Sequence, residues 1–168
     1  MNILSPSPSV PFPERGGVHR HYLEYLGIVE RLHRLLLDVV KDEFERLGLI
    51  DINSVQGLLL FNIADSELTA GELKSRGYYQ GSNVSYNLKK LVQGGYINHQ
   101  KCAVDRRAVR IRLTEKGLNI QRVVAKLFEK QAESLSKSGQ VSSADIVQTN
   151  RTMRDFERFW SDQIRFIY

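Results

Sequence analysis

From about His19 to Leu47 the apolar positions fall at Leu23, Leu26, Ile28 or Val29, Leu32, Leu35, Leu36, Val39, Val40, Phe44 and Leu47. That is the 3.6-residue period of an amphipathic helix, held for about seven turns. A helix of that length exceeds the globular average, so the spacing predicts packing in two environments, with Gly48 as the stop. A second helix opens at "NSVQ", where Asn53 caps and Gln56 reaches back, and runs through Leu58, Leu59, Phe61 and Ile63. "LTAGEL" is a further helix start: Thr69 as cap, Glu72 completing the capping box, Leu68 and Leu73 as hydrophobic staple, and an end near Gly77. A fourth helix extends from Gly81 or Ser82 to Gln93. Its stripe of Val84, Leu88, Leu91 and Val92 turns inward, leaving Ser82, Asn83, Tyr86, Lys89, Lys90 and Gln93 outward.

After Gly94-Gly95 the period changes from 3.6 to 2. "YINHQ" reads as a strand and "KCAVDRR" as a turn region. "AVRIRL" alternates Val109, Ile111 and Leu113 on one face with Arg110 and Arg112 on the other. The result is a β-hairpin with a cationic tip and a cationic outer face. Thr114 caps a fifth helix whose expected buried residues are Leu118, Val123, Val124, Leu127 and Phe128. A sixth begins at "VSSADI", with Ser142 as cap, Asp145 three residues on, and Val141 with Ile146 as staple. Along it Ile146, Met153, Trp160 and Ile167 recur every seven residues, with Thr149, Phe156 and Ile164 between them. Such a stripe is too apolar for a lone terminal helix and must pack on the first helix, on another subunit, or on both. The fold class is mainly α with a small β-hairpin.

At 168 residues and 42% hydrophobic, the chain holds one domain, or one domain with an appended element. Its four prolines all lie in "MNILSPSPSVPFPERGG", which lacks the basic start and apolar run of a signal peptide and reads as a flexible arm over residues 1–17. The single cysteine, Cys102, excludes an internal disulfide and argues against a cysteine zinc site. Net charge is +5, unevenly placed: Thr69 to Gly117 has ten basic residues against three acidic, +7, and the rest has 14 against 16, −2. A basic segment beside a near-neutral remainder is the footprint of a nucleic-acid-binding module joined to a part with another task; a solvated basic face is the plainer alternative.

Two short helices, the second with a polar outer face, followed by a basic hairpin, form a winged helix-turn-helix. A helix fits the major groove and reads base edges, while an arginine-bearing hairpin reaches phosphates or the minor groove. "ELKSRG", "SNVSYNLKKLVQGGYI" and above all "DRRAVRIRLTEKG" resemble the MarR family of bacterial transcription regulators, from about residue 20 onward. The resemblance implies an obligate homodimer on a pseudo-palindromic operator, with residues 51–117 binding double-stranded DNA and residues 18–50 and 118–168 dimerising. It also implies that Asp105 orients the wing by an ion pair and that Arg106 or Arg107 enters the minor groove.

The DNA-binding set is then Ser82, Asn83, Ser85, Tyr86, Lys89 and Lys90 on the recognition helix and Lys101, Asp105, Arg106, Arg107 and Arg110 on the wing. The recognition helix departs from the family's usual Thr-Val-Ser-Arg: this chain has Asn83-Val84-Ser85-Tyr86, so base specificity does not transfer. Asn83 is suited to adenine, Tyr86 to a phosphate or a thymine methyl, and the lysines to phosphate.

Dimerisation falls to Ile146, Met153, Phe156, Trp160, Ile164 and Ile167. The family also binds small aromatic or phenolic effectors, for which Tyr22, Tyr25, Phe44 and Phe61 are the candidates. His19, His21 and His33 lack ligand-like spacing, so no metal or other cofactor is expected. Cys102 beside Lys101 has the basic setting of a redox-sensing thiol, but relatives carry theirs toward the first helix. No phosphate loop, nucleophile elbow or catalytic cluster is present in the sequence, and no enzyme is expected. The expected setting is bacterial cytoplasm, without a membrane. A protein-interaction module and a sequence-neutral architectural DNA binder are the competing readings.

Overall fold

The computed structural model describes residues 17–63, 68–69, 82–101 and 109–167. In chain order these form α1 (Gly17–Arg46), α2 (Ser54–Ile63), β1 (Leu68–Thr69), α3 (Ser82–Gln93), β2 (Ile97–Lys101), β3 (Val109–Leu113), α4 (Glu115–Ser138) and α5 (Ser143–Ile167). The expected arm up to residue 16, the helix expected after Thr69, and the hairpin tip with Cys102, Asp105, Arg106 and Arg107 lie outside the described residues, while Gly17, the last residue of that arm, is the first of α1.

α2 is the centre of the winged body. It starts in the expected capping box: Gln56 N–H donates to Asn53 Oδ1 at 2.9 Å, and Asn53 N–H donates to Gln56 Oε1 at 3.1 Å. Gln56, Gly57, Leu58, Leu59, Leu60 and Ile63 are all buried, because α1, α3 and α4 pack around it. A helix apolar on every side has to be enclosed in this way. The core joins α2 to Val40 and Phe44 of α1, Leu88 and Leu91 of α3, Ile97 and Ile111 of the sheet, and Ile120 and Val124 of α4. It therefore crosses the boundaries expected at residues 50 and 118. α4 buries Gly117 and Ile120 besides the expected Val124, while Leu118, Val123, Leu127 and Phe128 pack half-buried against the core.

Among the described residues the sheet has three strands where the alternation predicted two. Its order is β1-β3-β2, antiparallel throughout, with Leu68 opposite Ile111 and Thr69 opposite Arg110. Two residues are too few to display a period of two, so β1 has no signature in the pattern; it satisfies backbone groups on the outer edge of β3. Thr69 is thus a strand residue, and the extended backbone of a strand is also what an N-cap requires. β2 and β3 pair from Ile97 opposite Leu113 to Lys101 opposite Val109. Ile111 and Leu113 are buried and Arg110 and Arg112 exposed, as the alternation requires.

The remainder of the long helices leaves this body. None of α1 before Val40 is buried, and every residue from Glu129 to Asp155 is exposed. α5 starts in its predicted capping box, with Asp145 N–H donating to Ser142 Oγ at 3.1 Å and Ser142 N–H donating to Asp145 Oδ2 at 2.9 Å. The staple residues Val141 and Ile146 stay exposed. α5 meets α1 through aromatic rings: Phe156 stacks on Tyr25 with centroids 4.1 Å apart, and Trp160 Nε1–H donates to the Tyr22 hydroxyl at 3.0 Å. Among the described residues no helix is long and apolar enough to cross a membrane.

Candidate nucleic-acid interface

α3 divides as its sequence predicts. Leu88 and Leu91 anchor one face in the core, and Ser85, Tyr86, Lys89, Lys90 and Gln93 are exposed on the other. Tyr86 is 61% exposed, an unusual position for an aromatic ring, and Lys90, one turn on, holds its ammonium 5.8 Å from the ring centroid. Asn87, between the two faces, is buried and was absent from the expected core. Ser82 and Asn83 form the first turn of α3, and Lys101 is the last residue of β2. Arg110 and Arg112, two residues apart on β3, emerge from one side of the sheet.

The far end of α3 is closed by a Schellman motif. Tyr96 N–H donates to Leu91 O at 2.9 Å and Gly95 N–H to Val92 O at 3.0 Å, with Gly95 at φ +72°, where an L side chain would be strained. The start of α4 rests on the same turn. Thr114 caps α4, its Oγ1 accepting from Gly117 N–H at 3.2 Å. A Cβ on Gly117 would stand 2.2 Å from Tyr96 O, so only glycine lets α4 approach this closely.

The expected effector residues do not share one pocket. Tyr22 and Tyr25 lie on the exposed part of α1 beside α5, whereas Phe44 is in the core and Phe61 meets Phe128 edge-on at 5.1 Å. Tyr25 and Phe44 are about 28 Å apart along the helix axis. The cause is the period itself, which carries α1 from the arm into the body. A groove of about 500 Å³ beside Tyr22 is lined by Val18, Thr152, Asp155, Phe156 and Phe159, and another of about 450 Å³ by Tyr25, Val29, Met153, Trp160 and Ile164, among others. Burial, with Tyr22 as the lesser cause, raises the Tyr25 phenol above its ordinary pKa. Of the expected dimerisation residues, Ile146, Met153 and Ile164 are exposed, Phe156 and Trp160 are half-buried against the tyrosines, and Ile167 ends α5. Among the described residues no three histidines, cysteines or carboxylates are grouped to hold a metal ion.

A helix exposed beyond a packed three-helix body, followed by an antiparallel sheet with arginines on its outer side, defines a winged-helix DNA-binding domain. A model of the winged helix DNA-binding domain matches residues 52–117. The exopolysaccharide II synthesis transcriptional activator ExpG of Rhizobium meliloti (strain 1021) is 35% identical over 148 residues, 86% of this chain and 74% of that protein. Streptococcus pneumoniae FabT, solved in complex with DNA, aligns at a TM-score of 0.66 and 19% identity over 84% of this chain and 99% of that one. Staphylococcus aureus MarR, solved with salicylate and kanamycin, aligns at 0.67 and 19% over 86% of this chain and 95% of that one. The chain belongs with ExpG to a family of transcriptional regulators that carry a winged-helix DNA-binding domain, and its fold is that of the MarR-type regulators. That family and fold are those of DNA-binding regulators rather than enzymes.

Proposed function

We propose that the protein regulates transcription as a homodimer bound to a pseudo-palindromic operator, with α3 of each protomer in a major groove. One observation carries the reading: Ser85, Tyr86, Lys89 and Lys90 are held out to solvent by a face of α3 whose leucines are locked in the core. A rigid helix with such a face needs no rearrangement to enter DNA. Ser82, Asn83, Ser85 and Tyr86 are assigned to bases and Lys89 and Lys90 to phosphates. The wing set, Lys101, Asp105, Arg106, Arg107 and Arg110, is assigned to the adjacent backbone and minor groove, with Asp105 holding an arginine in place. Residues 51–117 serve as the DNA-binding part, and residues 18–50 and 118–168 as the dimerising part through Ile146, Met153, Phe156, Trp160, Ile164 and Ile167. A small aromatic effector, contacting Tyr22 or Tyr25, acts by favouring a dimer geometry in which the recognition helices no longer match major grooves roughly 34 Å apart.

The test is fluorescence anisotropy of the purified protein on DNA from upstream of its own gene and on a scrambled duplex, at two salt concentrations. Tight, salt-sensitive binding to the native duplex alone is expected. Equal binding to both indicates an architectural role, and binding to neither overturns the assignment for that promoter.

A further inference from the structure

Three consecutive carbonyls at the end of α3 accept hydrogen bonds from one turn at the start of α4. Gly94 O accepts from Lys116 Nζ at 2.9 Å, Gly95 O from Thr114 Oγ1 at 2.7 Å, and Tyr96 O from Thr114 N–H at 3.0 Å. The Lys116 ammonium also stands 4.1 Å from the centroid of the ring of Tyr96, a buried residue. Its charge thus lies at the carbonyl end of α3, the negative end of the helix dipole. Three bonds to successive residues fix both the distance and the rotation of α4 relative to α3.

We propose that Thr114 and Lys116 are positioning residues that lock the recognition helix to α4, and that Lys116 makes no phosphate contact of its own. The inference rests on the DNA-binding reading above. In helix-turn-helix docking the N-terminal residues of the recognition helix meet base edges, and Lys116 sits at the opposite end, about 18 Å along the axis. The lysine's basic neighbours in sequence suggest a phosphate ligand; its position makes it a brace. α4 leads out of the body into the exposed helical region, so its angle to α3 sets where that region carries each recognition helix.

The test compares wild type, K116M, K116R and T114V on the native and scrambled duplexes over a salt series. K116M and T114V should weaken binding to the native duplex about fivefold, the low end of a coupling between sites, with the scrambled duplex and the salt slope unchanged. K116R, which keeps both the donor and the cation over the ring, should restore binding. A K116M salt slope smaller by about 0.9, with equal loss on both duplexes, identifies a phosphate contact and overturns the proposal, as does unchanged binding. Hydrogen exchange without DNA decides the brace separately: the Thr114 amide and those of Leu91–Ile97 should exchange faster in both variants, and unchanged rates overturn it. If wild type distinguishes neither duplex, the DNA reading fails while the exchange result still stands. Should K116M not fold, K116Q carries the same measurements.

Discussion

Gly117 is a single atom's width from conflict. Its missing side chain would collide with a backbone oxygen, which cannot rotate away, so Gly117→Ala should cost about 2 kcal/mol, read as a lower denaturant midpoint at unchanged slope. The exposed face of α3 makes the opposite prediction, for binding without stability. Lys89→Gln and Lys90→Gln should each reduce the magnitude of the salt slope by about 0.9. Tyr86→Ala should leave that slope unchanged and weaken the native duplex more than the scrambled one, by about 1 kcal/mol in anisotropy titrations. At this scale the sequence was informative where one residue does one job. The outward set of α3 and the alternation of β3 were legible from period alone. The bracing role of Lys116 was not, because a lysine within a basic run looks the same whether it meets a phosphate or a carbonyl.

Helix starts were the most legible elements. The boxes at Asn53–Gln56 and Ser142–Asp145 both form, since side chain and partner are three residues apart and need no distant contact. Hydrogen bonds from the Ser142 hydroxyl and then its backbone N–H hold the Asp145 carboxyl below the ordinary aspartate range. A carboxyl lowered in the folded state gives stability that is complete above its unfolded value, about 3.9, and is lost as pH falls through the lower folded one. The first amides of α5 should therefore keep their exchange protection at neutral pH and lose it on acidification below about pH 4, whereas Asp145→Ala should lose it at every pH. β1 escaped detection for the converse reason: its partner is some forty residues away, and a dipeptide carries no pattern of its own.

The distribution of burial over the whole molecule is uneven. The winged body encloses most of its described apolar residues, whereas α1 and α5 leave Leu23, Leu32, Leu35, Phe159, Ile164 and Phe166 about half exposed or more. So much apolar surface on two helices marks an interaction face. If that face forms the proposed dimer, Ile164→Asp should convert it to a monomer by light scattering and weaken binding to the native duplex more than tenfold, while leaving the winged body folded. The stripe on α5 was visible in the sequence and the aromatic contact with α1 agrees with it, but a period of seven cannot name which surface it meets. The proposed effector set was divided for a related reason: one helix carried aromatics into two different surroundings. The long exposed run from Glu129 to Asp155 has a further consequence. Helical segments with no tertiary support of their own are marginal in water. In the proposed homodimer, ordering them and pairing two chains become one event, governed by mass action, so a dilute sample should melt in two steps and a concentrated one in a single step at higher temperature. Under the proposed dimeric function, the copy number of the regulator is thereby an input to its own activity, for a chain too scarce to find its twin lacks the frame that would span an operator.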